Sequence, residues 1–279
     1  MSNFSIHRVA AFSDDNQGGN PAGVWLGAQL PSADDMQRLA QEVGYSETVF
    51  ACRTGDGWRV RYFSPESEVP FCGHATIALG AVLAQNLGDG IFDLQLNQGK
   101  ISVEGRINSG KIFAALQSPA TRSAPAAPEL LKAACDLFGL RNEDLNPDIP
   151  PALIHGGADH LILALRSRET LRAMHYDLDT GRRLMKAFAL VTIMLVFAES
   201  RQLFHSRNAF ASGGVLEDPA TGAATAAFAG YLRDLYWLHG GEITLIQGED
   251  MGMRSLIHAQ ITDEAGASIR VYGAARIMG

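Results

Sequence analysis

Apolar and polar residues alternate in short runs along much of the chain, and a helical rhythm replaces that alternation at two similar places. Trp58 to Phe63 alternates bulky residues and reads as a strand. Pro65 and Pro70 then stop regular structure, because neither has a backbone donor. From Gly73 onward Ile77, Leu79, Val82 and Leu83 recur among alanines, which predicts a helix to about Asn86. The second place repeats this grammar. Leu203 to Phe210 reads as a strand, Glu217-Asp218-Pro219 follows, and Thr221-Gly222-Ala223-Ala224 opens an alanine-rich helix that ends in Tyr231 and Leu232. Glycine inside a helix costs about 1 kcal/mol relative to alanine. Gly80 and Gly230 therefore predict that each helix runs close against another element, the other helix being one candidate. The two motifs stand roughly half a chain apart, as duplicated halves would.

The remaining pattern fits that division. Phe4 to Phe12 and Val24 to Leu26 read as strands on either side of a turn-rich loop. Ser32 caps a helix from Asp34 to Val43, with Asp34 and Asp35 in its first turn and Gly44 as its stop. Thr48 to Ala51 reads as a buried strand with Glu47 at its mouth. Short strands are expected at Ile91–Leu96, Lys100–Arg106 and Lys111–Leu116. Ser118 to Pro128, rich in proline, alanine and serine, reads as a linker. Beyond it come helices at Pro128–Phe138, Ser167–Met174 and Thr180–Phe188. Strands are expected there at His160–Leu165, Leu190–Ala198, Glu242–Gln247, Arg254–Ile261 and Ser268–Ile277. The expected fold class is α+β, with one half over residues 1–118 and the other over 119–279, the last strand being a candidate to return to the first half. The two helix entrances are expected to face a shared cleft.

Composition narrows the function classes. Of 279 residues 47% are hydrophobic, which excludes general disorder, and the net charge of −7 offers no basic stripe for nucleic acid. The longest apolar run, Ala187 to Ala198, is shorter than the roughly 20 residues of a membrane span. Met1 to Val9 has no signal-peptide shape. Three scattered cysteines fit a reduced compartment, so a cytoplasmic protein is expected, without nucleic-acid or membrane partners. No C-x-x-C or Cys/His cluster suggests zinc, and His155 and His160 do not share a helical face, so no metal is expected. The Gly18-Gly19-Asn20-Pro21 loop lacks both the Gly-Lys-Ser/Thr ending of a P-loop and the Rossmann glycine pattern, which argues against a nucleotide role.

The candidate chemistry sits at the helix entrances, where unpaired N–H groups and the positive dipole end suit a carboxylate or a developing oxyanion. Glu47, Cys72, His74 and Asp218 are the nearby groups able to act as acid or base. Each has a plainer reading. Glu47 could be a solvated loop residue, Cys72 a small buried hydrophobe, His74 a capping group and Asp218 an N-terminal cap. Together they suit proton abstraction and return, as in a racemase, epimerase or double-bond isomerase. Such chemistry needs no metal or organic cofactor when the helix entrances carry the charge.

The strings Gly19-Asn20-Pro21-Ala22-Gly23, Ser46-Glu47-Thr48, Arg61-Tyr62-Phe63-Ser64-Pro65, Glu68-Val69-Pro70-Phe71-Cys72-Gly73-His74-Ala75-Thr76 and Glu217-Asp218-Pro219-Ala220-Thr221-Gly222 resemble the PhzF-like (phenazine biosynthesis-like) family, within the diaminopimelate epimerase fold. Gln247-Gly248, Met251-Gly252 and Arg254-Ser255 match more weakly. The resemblance implies two pseudo-symmetric halves, each a mixed sheet curled around a central helix, a cofactor-free site between them, and a homodimer. It implies that Glu47 is the general base, with His74 and Asp218 as partners in proton transfer. It also implies that Cys72 and backbone groups of Gly73, His74, Gly222 and Ala223 bind a substrate carboxylate. In diaminopimelate epimerase two cysteines serve as acid and base; here Cys72 falls near one position and Asp218 near the other. Two departures stand out. Ala223 replaces a frequent serine, and Met253-Arg254-Ser255 stands where Arg-Pro-Ser is usual. The expected function is a cofactor-independent isomerase or epimerase acting on a small carboxylic acid. The alternative is a metabolite-binding or interaction protein on the same fold, motivated by the hydroxyl missing at Ala223.

Overall fold

The computed structural model describes residues 5–238 and 240–279. Phe4, where the first strand was expected to begin, lies outside them, as does the start of the Met1–Val9 segment. The chain forms two compact units, residues 1–117 with 272–279 and residues 118–271.

The first unit runs β1 (Ile6–Ala11), β2 (Asn20–Gly27), α1 (Ala33–Val43), β3 (Glu47–Thr54), β4 (Gly57–Phe63), β5 (Glu68–Val69), α2 (Gly73–Leu87), β6 (Gly90–Leu96), β7 (Gly99–Asn108) and β8 (Lys111–Ala120). Its pairings are antiparallel for β1–β2, β3–β4, β4–β5, β6–β7 and β7–β8, and parallel for β2–β3 and β4–β6. Ser32 accepts a hydrogen bond from the Asp35 amide at the start of α1, and Gly44 ends the helix at φ 71°, a left-handed angle that glycine adopts without steric penalty. Met36, Leu39 and Ala40 of α1 pack on Trp25, Phe50 and Phe63.

Helix α2 is different in kind. Every residue from His74 to Ala84 is buried, so the helix is apolar all round rather than amphipathic. It packs on β1, β2, β3, β6 and β7, and its small residues permit that close wrapping. Gly80 and Gly105 mark the tightest crossing. A Cβ on Gly80 would lie 2.6 Å from Val103 Cγ2, and one on Gly105 would lie 2.4 Å from the Gly80 carbonyl oxygen. The glycine inside this helix thus answers to a strand of its own unit.

The second unit runs β9 (Arg122–Pro125), α3 (Pro128–Phe138), β10 (Ala152–His155), β11 (Asp159–Leu165), α4 (Arg168–Arg172), α5 (Leu178–Ala187), β12 (Thr192–Ala198), β13 (Leu203–Ala209), β14 (Glu217–Asp218), α6 (Gly222–Asp234), β15 (Gly241–Gln247), β16 (Ser255–Ile261) and the first part of β17 (Ser268–Met278). From β10 onward the pairings follow the order seen from β1 in the first unit. They are antiparallel β10–β11, parallel β11–β12, antiparallel β12–β13, antiparallel β13–β14, parallel β13–β15 and antiparallel β15–β16. Helix α6 is buried from Ala224 to Arg233 and packs on β9, β10, β11 and β16. A Cβ on Gly230 would lie 2.5 Å from Thr121 Oγ1, again a close neighbour within the same unit. In the first unit, β1 pairs with Ala275 to Met278 at the end of β17.

Some elements differ from the pattern-based expectation. The Ser118–Pro128 stretch contains β9, which pairs with β10; Arg122 to Pro125 has little side-chain pattern, and its strand conformation comes from the partner. The two-residue strands β5 and β14 lie inside the motif loops, too short for any periodicity to reveal. Helix α5 begins before Thr180, at Leu178, because the Asp177 carboxylate accepts from the Thr180 amide and hydroxyl.

Candidate active site

In the first unit the strand β3 starts at Glu47 and the helix α2 starts after Cys72, and their ends meet. The imidazole of His74 links them. Its Nε2 lies 3.4 Å from Glu47 Oε2 and 3.4 Å from Ser46 Oγ, and its Nδ1 lies 3.3 Å from Cys72 Sγ. The Glu47 side chain is only 14% exposed and that of His74 7%, so neither is a solvated loop group. Cys72 is the N-terminal cap of α2 by position, but its side chain makes no capping bond. The first helical bond joins the Thr76 amide to the Cys72 carbonyl at 3.0 Å, which leaves the amides of Gly73, His74 and Ala75 without acceptors inside the helix.

This entrance is held from behind. The Thr76 hydroxyl donates to the Cys72 carbonyl at 2.7 Å, so Tyr62 donates its phenolic hydrogen to Thr76 Oγ1, also at 2.7 Å. Burial pushes the Tyr62 phenol well above its ordinary range and keeps it a donor. On the other side of β4, Arg61 grips Glu68 of β5 by two bonds of 2.7 and 2.6 Å, and this pairing holds the Glu68 carboxyl below the usual carboxylate range. The loop from Ser64 to Phe71 is thereby tied to the strand before it.

The second unit builds its entrance with matching parts. Arg207 of β13 grips Glu217 of β14, with Nε 3.1 Å from Oε1 and Nη2 2.6 Å from Oε2, and this pair is more deeply buried than Arg61–Glu68. Asp218, next along β14, is buried. Thr221 precedes α6 and makes no cap of its own. The first helical bond joins the Thr225 amide to the Thr221 carbonyl at 3.0 Å, so the amides of Gly222, Ala223 and Ala224 have no acceptors inside the helix.

The residue that organises this second entrance is one that sequence reasoning singled out only as a weak motif match. Gln247, the last residue of β15, is fully buried. Its Oε1 accepts from the Thr221 amide at 3.2 Å, which fixes the amide orientation. Its Nε2 must then donate, to the Asp218 carbonyl at 2.7 Å and to Thr221 Oγ1 at 3.1 Å. The Thr221 hydroxyl, accepting from Gln247, turns its own hydrogen to Asp218 Oδ2. Asp218 Oδ2 is an acceptor in this arrangement. Gly248 follows at φ 73°, where a Cβ would sit 2.7 Å from the Pro219 oxygen and 2.5 Å from that of Met253. The adjacent glycine thus allows Gln247 to be pressed against the motif. No side-chain periodicity announces this role.

Of the site residues expected from sequence, Glu47, Cys72, Gly73 and His74 come together in the first unit, and Asp218, Gly222 and Ala223 in the second. Ligand atoms of Glu47, Cys72 and His74 all lie within 4.8 Å of one another, a spacing that could hold a metal ion although no metal motif is legible in the chain. The other histidines stand apart from this chemistry. His155 Nδ1 pairs with Asp159 at 2.6 Å, and the fully buried His160 bonds Thr192 Oγ1 at 2.7 Å. Cys52 and Cys135 are unbridged, and burial pushes the Cys135 thiol up. A surface cavity of 370 Å³, lined by Thr54, Trp58, Asp93 and Lys100 among others, includes none of the site residues.

Known proteins resemble this chain over most of its length. The family model described as phenazine biosynthesis-like protein matches residues 9–278. Trans-2,3-dihydro-3-hydroxyanthranilate isomerase of Pseudomonas chlororaphis is 30% identical over 270 residues, covering 94% of this chain and 92% of that protein. An uncharacterized isomerase of Deinococcus radiodurans is 33% identical over 230 residues, 80% of this chain and 74% of its own. Among solved structures, a PhzF-family phenazine biosynthesis protein of Bacillus anthracis superposes with a TM-score of 0.88 at 22% identity, covering 100% of this chain and 98% of that one. A probable proline racemase of Agrobacterium radiobacter, solved with bound carbonate, gives 0.67 at 10% identity over 98% and 91%. The structural matches fix the sheet-rich fold with few helices, and the sequence match from Val9 to Met278 fixes the kinship: the chain belongs to the phenazine biosynthesis-like family.

Proposed function

We propose that this chain is an isomerase that moves a proton between carbons of a small carboxylic acid by general acid–base catalysis. The observation that carries the reading is the Glu47–His74–Cys72 constellation at an uncapped helix entrance. Glu47 takes the proton: a substrate C–H bond breaks, its electron pair moves into the adjoining unsaturated or carboxylate system, and the proton passes to the Glu47 carboxylate. The developing negative charge is stabilised by amides at Gly73 and His74 and by the positive end of α2. Cys72 lines the same entrance. His74, bridging the carboxylate and the thiol, holds Glu47 and relays the proton to its new carbon. Asp218, with the amides of Gly222 and Ala223, is assigned to the same reaction by the repeated motif grammar and by the family resemblance.

The isomerase class rests on the relatives, one of which is named for trans-2,3-dihydro-3-hydroxyanthranilate. The same resemblance proposes a homodimer and a reaction without cofactor. It also proposes two pseudo-symmetric halves, each a mixed sheet curled around a central helix, and the shared order of pairings in the two units supports that description. Among the described residues, no helix is long and apolar enough to cross a membrane.

The test is proton exchange in deuterated water, followed by NMR, with a panel of amino, hydroxy and unsaturated cyclic acids that starts from the named relative's substrate. At least one acid is expected to exchange, and Glu47→Gln to slow exchange by about 10²–10⁴-fold. Unchanged turnover in Glu47→Gln rejects the assigned base. Ala223, which removes a hydroxyl from the second entrance, favours one alternative, a metabolite-binding protein that has lost catalysis. Saturable binding of one acid without exchange, unaffected by Glu47→Gln, is its signature.

A further inference from the structure

We propose that Asn208 is the positioning residue of Asp218, an amide kept opposite the acid to donate a hydrogen bond to its carboxylate. The proposal rests on the assignment of Asp218 to proton transfer. Asn208 is fully buried on β13, and neither its Oδ1 nor its Nδ2 has a hydrogen-bond partner among the described residues. A buried amide with both ends unpartnered is costly and calls for an explanation. The sheet register supplies one, because Asn208 stands directly opposite Asp218 across the β13–β14 pair. Opposed residues point to the same face, with Cβ atoms about 4.5–5.5 Å apart, a separation that an amide and a carboxyl turned toward each other can close.

The first unit shows what occupies the corresponding place when no acid is present. There β4 and β5 pair Tyr62 with Val69, one position along from the Arg–Glu grip, as β13 and β14 pair Asn208 with Asp218. Tyr62 is fully satisfied by Thr76, the fourth residue of its helix. Thr225 holds that place in α6, and its hydroxyl is also buried without a partner. The apolar Val69 thus faces a phenol bonded to the helix behind it. The acidic Asp218 faces a shorter amide, and the threonine contact is given up. A tyrosine at 208 would serve packing, whereas an amide serves the carboxyl. Its Nδ2 can donate to the Asp218 carboxylate, which favours the charged form.

Asn208 from β13, Gln247 from β15, which is paired with Ser206, and Thr221 at the start of α6 all meet Asp218 as neutral groups. The charged pair Arg207–Glu217 alternates to the opposite face, and Glu249 and Asp250 in the turn after β15 pair with Arg168 and Arg172 of α4, Glu249 also with Arg254.

The experiment titrates the Asp218 carboxyl by carbon-13 NMR in the full-length protein labelled at aspartate, with Asp218→Asn to assign the signal. Asn208→Leu removes the amide at similar volume, and Asn208→Tyr copies the first unit and can bond Thr225. Loss of the donor disfavours the charged form, so the Asp218 midpoint is expected to rise by about one pH unit or more in both variants. A midpoint unchanged to within about 0.3 unit in the folded variants, well inside the spread that environment produces, overturns the proposal. Lower melting temperatures with an unmoved midpoint do the same, because they mark a purely structural amide. In the exchange assay kcat is expected to fall with KM unchanged. A raised midpoint in a protein that exchanges no acid keeps the Asn208–Asp218 coupling and rejects only its use in isomerisation.

Discussion

Acid should weaken this fold through one histidine. His160 is fully buried on β11 opposite Thr192 of β12, with Nδ1 bonded to the threonine hydroxyl and Nε2 without a partner. Burial pushes its pKa from 6.5 down to about 3, the neighbouring Asp159 opposing with a smaller effect. Between those two values the unfolded chain binds a proton at this site that the folded protein does not. Stability from the neutral imidazole is therefore complete above pH 6.5 and is lost as pH falls toward 3. A shift of that size corresponds to about 5 kcal/mol in full, and to roughly half of that on going from pH 7.5 to 4.5. The informative perturbation is His160→Asn, which keeps a partner for Thr192 and removes the titration. Urea unfolding of both proteins at pH 7.5 and 4.5 gives the difference between them at each pH, in which shared carboxylate effects cancel. The variant is expected to be the less stable at pH 7.5 because it leaves a small cavity, and the gap should close by about 2–3 kcal/mol at pH 4.5. A gap that is the same at both pH values refutes the buried neutral histidine.

Two further outcomes follow from the same geometry. Arg207→Met should cost about 3–5 kcal/mol in urea unfolding, since it strands Glu217 in a site where the two side chains are 12% and 6% exposed. Arg61→Met, at 22% and 28%, should cost nearer to about 1 kcal/mol, and equal costs would contradict the burial argument. Zinc should bind at Glu47, Cys72 and His74, where thiolate, imidazole and carboxylate form a suitable donor set. Calorimetry is expected to show saturable binding that weakens in Cys72→Ser, with exchange activity suppressed by zinc and restored by chelator. Absence of both heat and inhibition rules that binding out.

Much of the candidate site was legible because its residues are close in sequence. Cys72, Gly73 and His74 share a helix start, and Asp218, Gly222 and Ala223 share another, so a helix that begins in a small-residue motif carries its donors with it. Glu47 was legible as a carboxylate at a strand mouth, and only the family resemblance made His74 its partner; the contact itself depends on β3 and α2 ending at the same point. Gln247 showed only as part of a weak motif match, and Asn208 carried no signal in the chain. A buried glutamine or asparagine cannot be told from an exposed one by alternation alone, and their meaning arises only when the register sets Ser206 beside Gln247 and Asn208 beside Asp218. Likewise β9 had no strand pattern, and β10 supplied its structure.

The sequence by itself determined the alternation of strands with helices, the caps at Ser32 and Gly44, and the two alanine-rich helices behind small-residue entrances. These follow from local physics, namely side-chain periodicity, missing proline donors and the torsional freedom of glycine. Tertiary structure decided which strands pair and in what register, what Gly80 and Gly230 pack against, and which polar side chains are buried with or without a partner. Those outcomes depend on chain segments tens of residues apart, and a hydrogen bond or a close approach between such segments exists only once the sheet has fixed both ends.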